Sequence, residues 1–139
     1  MFRFLAVLAL ASTLLAGGAR ADEAIKTTVL LKTITTNIGQ PIAYPRHGMP
    51  QITTMIIEIP PGAATPLHTH PAPLVGYILE GQLEVRAAGG KINRYKAGDA
   101  FVEALNHAHA GTNIGPGPLR ILVTVIGTQG VPYAVPVKQ

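Results

Sequence analysis

The chain has 139 residues with 11 Lys and Arg against 7 Asp and Glu, 15 glycines, 12 prolines, few aromatics and no cysteine. That length allows one domain, and the lack of cysteine excludes disulfides and thiolate chemistry. The formal charge of +4 is scattered along the chain, which gives no footprint for nucleic acid or an anionic membrane.

The N-terminus reads as a targeting segment. Arg3 supplies a positive start, residues 4–15 form an apolar run, and Ala19-Arg20-Ala21 fits a small-x-small cleavage site before Asp22. The run is shorter than the ~20 apolar residues that a membrane-spanning helix needs. A cleaved signal peptide over residues 1–21 is therefore expected. The product would be exported, periplasmic or secreted, with a net charge of +2 once Arg3 and Arg20 are gone. About 118 residues then remain, enough to close one core.

Residues 27–35 are β-branched and alternate in part, which predicts a strand, and 37–41 read as a turn. Residues 42–44 predict a short edge strand. His47 falls in the following loop and reads as a surface residue. Residues 52–59 predict a strong strand, stopped by Pro60-Pro61-Gly62. Residues 65–70 predict the next, with Pro71 and Pro73 forcing a bend behind it. Strands are expected at 75–79 and 82–87 around a corner at Glu80-Gly81. Others are expected at 92–95, 100–104 and 108–112, and at 119–126, the most apolar and so a central one. Residues 131–137 predict an extended tail. About ten short strands with regular turns and no helix beyond the leader describe an all-β sandwich or small barrel.

His68-Thr69-His70 lies within one of these strands. Strand side chains alternate faces, so both imidazoles project one way and Thr69 the other. Two imidazoles on one sheet face make half a metal site.

The spacing around this pair resembles the first motif of the cupin superfamily: Gly62, five residues, His68, one residue, His70, and later Gly81. Gly98, five residues, Ala104, Asn106, then His109 and Asn113, resembles the second motif. The resemblance spans residues 52–126. It implies a double-stranded β-helix, a short jelly-roll barrel, over about 27–127 of a domain at 22–139, with a tail at 128–139. It further implies a divalent transition metal inside the barrel on His68, His70 and His109. The glutamate of the first motif is replaced by Leu74, and the glycine of the second by Asn106, which can adopt the same left-handed turn. Three neutral imidazoles leave a divalent ion its full charge and favour iron, zinc, copper or nickel over manganese. Glu103 reads as a supporting or acid/base carboxylate and His107 as a rim residue. Tyr77, Phe101, Met49 and Met55 read as packing.

Three functions are consistent with these residues. The first is a metal-dependent oxygenase or related enzyme acting on a small oxygenated molecule. The second is a module that binds metal or a small ligand without turnover. The third is a metal-free structural barrel. A homodimer is expected in each case, with residues 27–35 free to extend a partner's sheet.

Overall fold

The computed structural model describes residues 25–138, so the expected leader at 1–21 lies outside the described residues. Among the described residues nine strands form two antiparallel sheets: β1 (Pro50–Ile59), β2 (His68–Thr69), β3 (Leu74–Glu80), β4 (Gln82–Ala87), β5 (Ile92–Lys96), β6 (Ala100–Val102), β7 (His109–Asn113), β8 (Leu119–Thr128) and β9 (Val135–Pro136). One sheet runs β1-β8-β3-β6 and the other β5-β4-β7-β2-β9. Apart from the β4–β5 hairpin, strands that follow one another in sequence pass between the two sheets, as in a double-stranded β-helix, and form a short barrel.

Period-two burial builds the core. Along β8, Leu119, Ile121, Val123 and Val125 are buried, while Arg120, Leu122, Thr124 and Ile126 on the other face are half-exposed. β8 lies between β1 and β3, the central position its apolarity predicts. Ile59 at the end of β1, Leu74 and Ile78 on β3, Leu83 and Val85 on β4 and Phe101 on β6 complete the cluster. Phe101 stacks on Tyr95 with ring centroids 4.2 Å apart. Gly76 lets that ring lie flat on β3, since a Cβ at position 76 would stand 2.5 Å from it. The β3–β4 corner depends on Gly81, at φ 86°, where a Cβ would meet the Pro118 carbonyl oxygen at 2.6 Å.

Several expectations are corrected. Residues 27–35 form no strand, and only Thr35 makes an isolated bridge, to Pro41. β-branched residues fit a pleated surface but do not create one, and this stretch has no adjacent strand to pair with. Residues 42–44 likewise form no strand, apart from an Ile42 amide bonded to the Ile34 carbonyl at 3.0 Å. Met49 is 68% exposed rather than packed, because it sits in the loop ahead of β1, whereas Met55 packs on the core. Tyr77 is half-exposed on the outer face of its sheet.

The loop behind β7 depends on Asn113. Its Nδ2 donates to the Ile59 and Gly117 carbonyls, each at 2.9 Å, and its Oδ1 accepts from the Gly115 amide at 2.9 Å. The side chain is 1% exposed, so these bonds form in a dry setting. Asn113→Ala strands three backbone groups and should cost about 2–4 kcal/mol. Urea unfolding will show this as a lower midpoint with an unchanged slope, and a midpoint equal to wild type would mean that the loop is held by other contacts.

Candidate metal centre

The β2–β7 pairing and the bridge just beyond it bring the histidines together. His68 lies directly opposite His109 on β7. His70, two residues on and on the same face, bridges to Leu105 and accepts the Asn106 amide at 2.8 Å through its carbonyl. Asn106 has φ 48°, the left-handed turn expected of it, and so sets the entry angle of β7. Gln40 fixes the other side of this connection, since its side-chain amide accepts from the Leu105 amide at 2.9 Å and donates to the Leu105 carbonyl at 3.1 Å. Three imidazoles then face one point, with ring centroids 4.6–4.9 Å apart.

Each ring is held by its Nδ1. His68 Nδ1 donates to the Pro66 carbonyl at 2.7 Å, His70 Nδ1 to the Tyr133 carbonyl at 2.7 Å and His109 Nδ1 to the His107 carbonyl at 2.8 Å. A backbone carbonyl can only accept, so each Nδ1 carries a hydrogen and each Nε2 is left to bind something else. The ligand atoms of the three residues lie within 4.8 Å of one another. Two nitrogens at the ~2.0–2.1 Å bonding distance of a zinc-like ion stand at most ~4.2 Å apart, so a small inward rotation of the rings suffices. His109 Nε2 is buried and has no partner with aligned hydrogen-bond geometry, only a contact with the Glu103 carboxylate. Three imidazole nitrogens fixed from behind and turned toward one point are a donor set that fits a divalent metal.

Glu103 follows β6 directly, and its amide donates to the Leu74 carbonyl at 3.0 Å. Its Oε2 lies 3.4 Å from His70 Nε2 and also contacts His109 Nε2. The side chain is buried with the histidines rather than solvated. Burial raises the Glu103 pKa, but His109 and then His70 outweigh it and hold the carboxyl well below the usual range. Burial likewise lowers His109, yet the Glu103 carboxylate prevails and raises it. His68 is lowered, chiefly by burial, against the pull of its bond to Pro66.

These directions set a pH dependence for the metal-free protein. Glu103, with its pKa depressed, contributes stability that is lost as pH falls through the folded value. His109, with its pKa raised, contributes stability that is present below its ordinary value and lost as pH rises through the folded value. Their attraction is full between the ordinary values of 4.5 and 6.5. Glu103→Gln should therefore be most destabilising in that window and less so as pH climbs past the raised His109 value. Urea midpoints of chelated protein across pH would test it, and a pH-independent difference would contradict the pairing.

The site opens into a cavity of about 380 Å³ between the sheets. Its walls are apolar, with Ile57, Leu74, Leu83, Phe101, Ile121 and Val123 facing the polar cluster. Phe101 thus packs the core and lines the cavity. His47 is exposed in its loop. His107 turns away, its Nε2 donating to the Ala88 carbonyl at 2.8 Å, and so keeps outside the cluster. The tail supplies what side-chain reading missed. Pro132, Tyr133, Ala134 and Pro136 roof the cavity, and β9 pairs with β2. Only the extended character of residues 131–137 hinted at this.

A family model described as the cupin domain matches residues 55–125. The chain is a cupin. No curated protein matches it. Among solved structures, this cupin is similar to the DMSP lyase DddQ of Ruegeria pomeroyi, with 28% identity and a TM-score of 0.54 over 62% of this chain and 43% of that one. It is also similar to the oxalate decarboxylase of Lactobacillus farciminis, with 27% identity and a TM-score of 0.55 over 62% of this chain and 26% of that one. A double-stranded β-helix protein of Klebsiella pneumoniae shares the fold, with 24% identity and a TM-score of 0.52 over 69% of this chain and 86% of that one. The cupin thus spans less than half the length of the two enzymes it resembles.

Proposed function

We propose that this cupin is exported and holds a divalent transition metal on His68, His70 and His109, and that it acts as a metal-dependent oxygenase or related enzyme on a small oxygenated molecule. The observation that carries the reading is the set of three imidazoles tied back through Nδ1 and facing one point. Two structural neighbours above 25% identity, a lyase and a decarboxylase, support an enzyme over a purely structural barrel. Their extra length leaves their substrates out of the comparison. When bound, the metal would polarise a ligand oxygen as a Lewis acid and keep positions open for water or substrate. The protein's own residues orient and enclose. The three backbone carbonyls fix the rings, the apolar walls exclude water, and Glu103 brings negative charge against the imidazoles. A carboxylate there is also placed to take a proton from an entering molecule.

Elemental analysis of the purified protein, beside His68→Ala, should find one equivalent of iron, zinc, copper, nickel or manganese in wild type and far less in the variant. Oxygen uptake by the iron-loaded protein with diketones, thiols and phenolics then separates enzyme from binder. Wild type without stoichiometric metal would leave the metal-free structural barrel as the reading.

We also propose that the cupin pairs as a homodimer. The outer face of the β1-β8-β3-β6 sheet supports this, since its cross-strand partners Ile52↔Ile126 and Ile56↔Leu122 are apolar. Ile52 and Ile56 are 62% and 49% exposed. Light scattering of wild type and of Ile52→Glu/Ile56→Glu would report two copies and one respectively.

A further inference from the structure

We infer that Glu103 is itself a metal ligand, and that it supplies from the end of β6 the carboxylate that β3 lacks at Leu74. The inference rests on the metal-site reading above and extends it from three ligands to four.

Val75 on β3 pairs with Val102 on β6, and the Glu103 amide bonds to the Leu74 carbonyl. Leu74 and Glu103 are thus neighbours across two adjacent strands. Both line the same cavity. The sheet therefore presents a carboxylate from one strand over, toward the position the missing one would serve. A longer side chain on the neighbouring strand can reach a point that a side chain on β3 would otherwise occupy.

Geometry gives the second step. Glu103 Oε2 stands 3.4 Å from His70 Nε2. Ligand atoms ~2.1 Å from a tetrahedral ion lie ~3.4 Å apart, and closer in an octahedral one. The oxygen also contacts His109 Nε2, the nitrogen that has no aligned hydrogen-bond partner. With Nδ1 of both rings donating to backbone carbonyls, both Nε2 atoms are turned toward the carboxylate. Two ring nitrogens and a carboxylate oxygen this close together need a cation among them, either a proton or a metal ion. A proton can bridge one such pair, but a metal ion can satisfy all of them together.

Charge gives the third step. Three neutral imidazoles leave a divalent ion with its whole charge inside an apolar cavity, where desolvating it is costly. One carboxylate halves that charge and adds a hard oxygen donor. This brings manganese back among the metals the site suits, alongside iron and zinc.

The test uses the mature full-length protein, with zinc and cobalt(II) as the probes. Zinc affinity is read by chelator competition, and coordination by the visible spectrum of the cobalt form, for wild type, Glu103→Gln and the double variant Leu74→Glu/Glu103→Leu. The expected result is a loss of more than 100-fold in zinc affinity for Glu103→Gln, beyond the ~10–100-fold that a merely supporting residue accounts for. A changed cobalt spectrum should accompany it. The double variant should recover both, because it returns the carboxylate to β3. Zinc affinity within tenfold of wild type and an unchanged cobalt spectrum in Glu103→Gln would overturn the inference while leaving the three-histidine reading in place. Wild type that binds neither ion would overturn both. Should Glu103→Gln fail to fold, the double variant decides alone: wild-type zinc affinity and cobalt spectrum support the inference, and loss of either overturns it.

Discussion

His109→Ala is expected to abolish stoichiometric metal binding and to destabilise the barrel by about 3–5 kcal/mol. Both effects have the same origin. His109 is 1% exposed and sits opposite His68 across the β2–β7 ladder. Removing its ring takes away one of three nitrogens and the group against which the Glu103 carboxylate is set, so the remaining donors no longer converge on one point. It also opens a void in a packed region and leaves the buried Glu103 carboxylate with only His70 beside it. The control lies two residues away. His107 bonds the Ala88 carbonyl at the surface, so His107→Ala should keep its metal and shift stability by about 1 kcal/mol or less. Elemental analysis and urea midpoints of chelated protein give both readings. Full metal occupancy in His109→Ala would move the centre elsewhere in the chain.

Deleting residues 131–139 should weaken zinc binding by about 10–100-fold while the barrel stays folded. The buried core cluster contains no residue beyond Val125, so the main packing survives the deletion. The tail's contacts are local to the site. Tyr133 accepts from His70 Nδ1, Val135 pairs with Thr69, and the Val137 amide bonds the Leu67 carbonyl at 3.0 Å. Without them the His70 ring loses the acceptor that fixes its tautomer, and β2, only two residues long, keeps a single ladder partner. Near-UV circular dichroism would report the fold and chelator competition the affinity. Unchanged affinity in a folded deletion would mean that the tail covers the site without tuning it.

The clustering of the three histidines was largely readable from the chain because strand placement is periodic. His68 and His70 share a face by strand alternation, and His109 falls at the matching place in the second motif. Gly81 and Asn106 were readable because their backbone angles demand those residue types. Glu103 was visible only as a carboxylate near the barrel. Its closeness to Leu74 depends on which strand lies beside which, and register across a sheet leaves no local mark. The Tyr133 contribution was invisible for a different reason: it acts through a backbone carbonyl, which every residue has. Residues 27–35 show the opposite failure. Their composition favours a strand, but strand formation is a property of pairs, and the described chain offers them no partner.

The cavity is chemically lopsided. Its imidazole and carboxylate groups form one cluster, and hydrocarbon from both sheets makes up most of the remaining lining. A guest with heteroatoms at one end and hydrocarbon at the other satisfies every wall. A guest polar at both ends must strip water from its far end with nothing to replace it, at about 1–3 kcal/mol for each uncompensated group. Two molecules of equal volume therefore differ in affinity according to how their polarity is distributed, so the barrel selects by head-to-tail asymmetry before size.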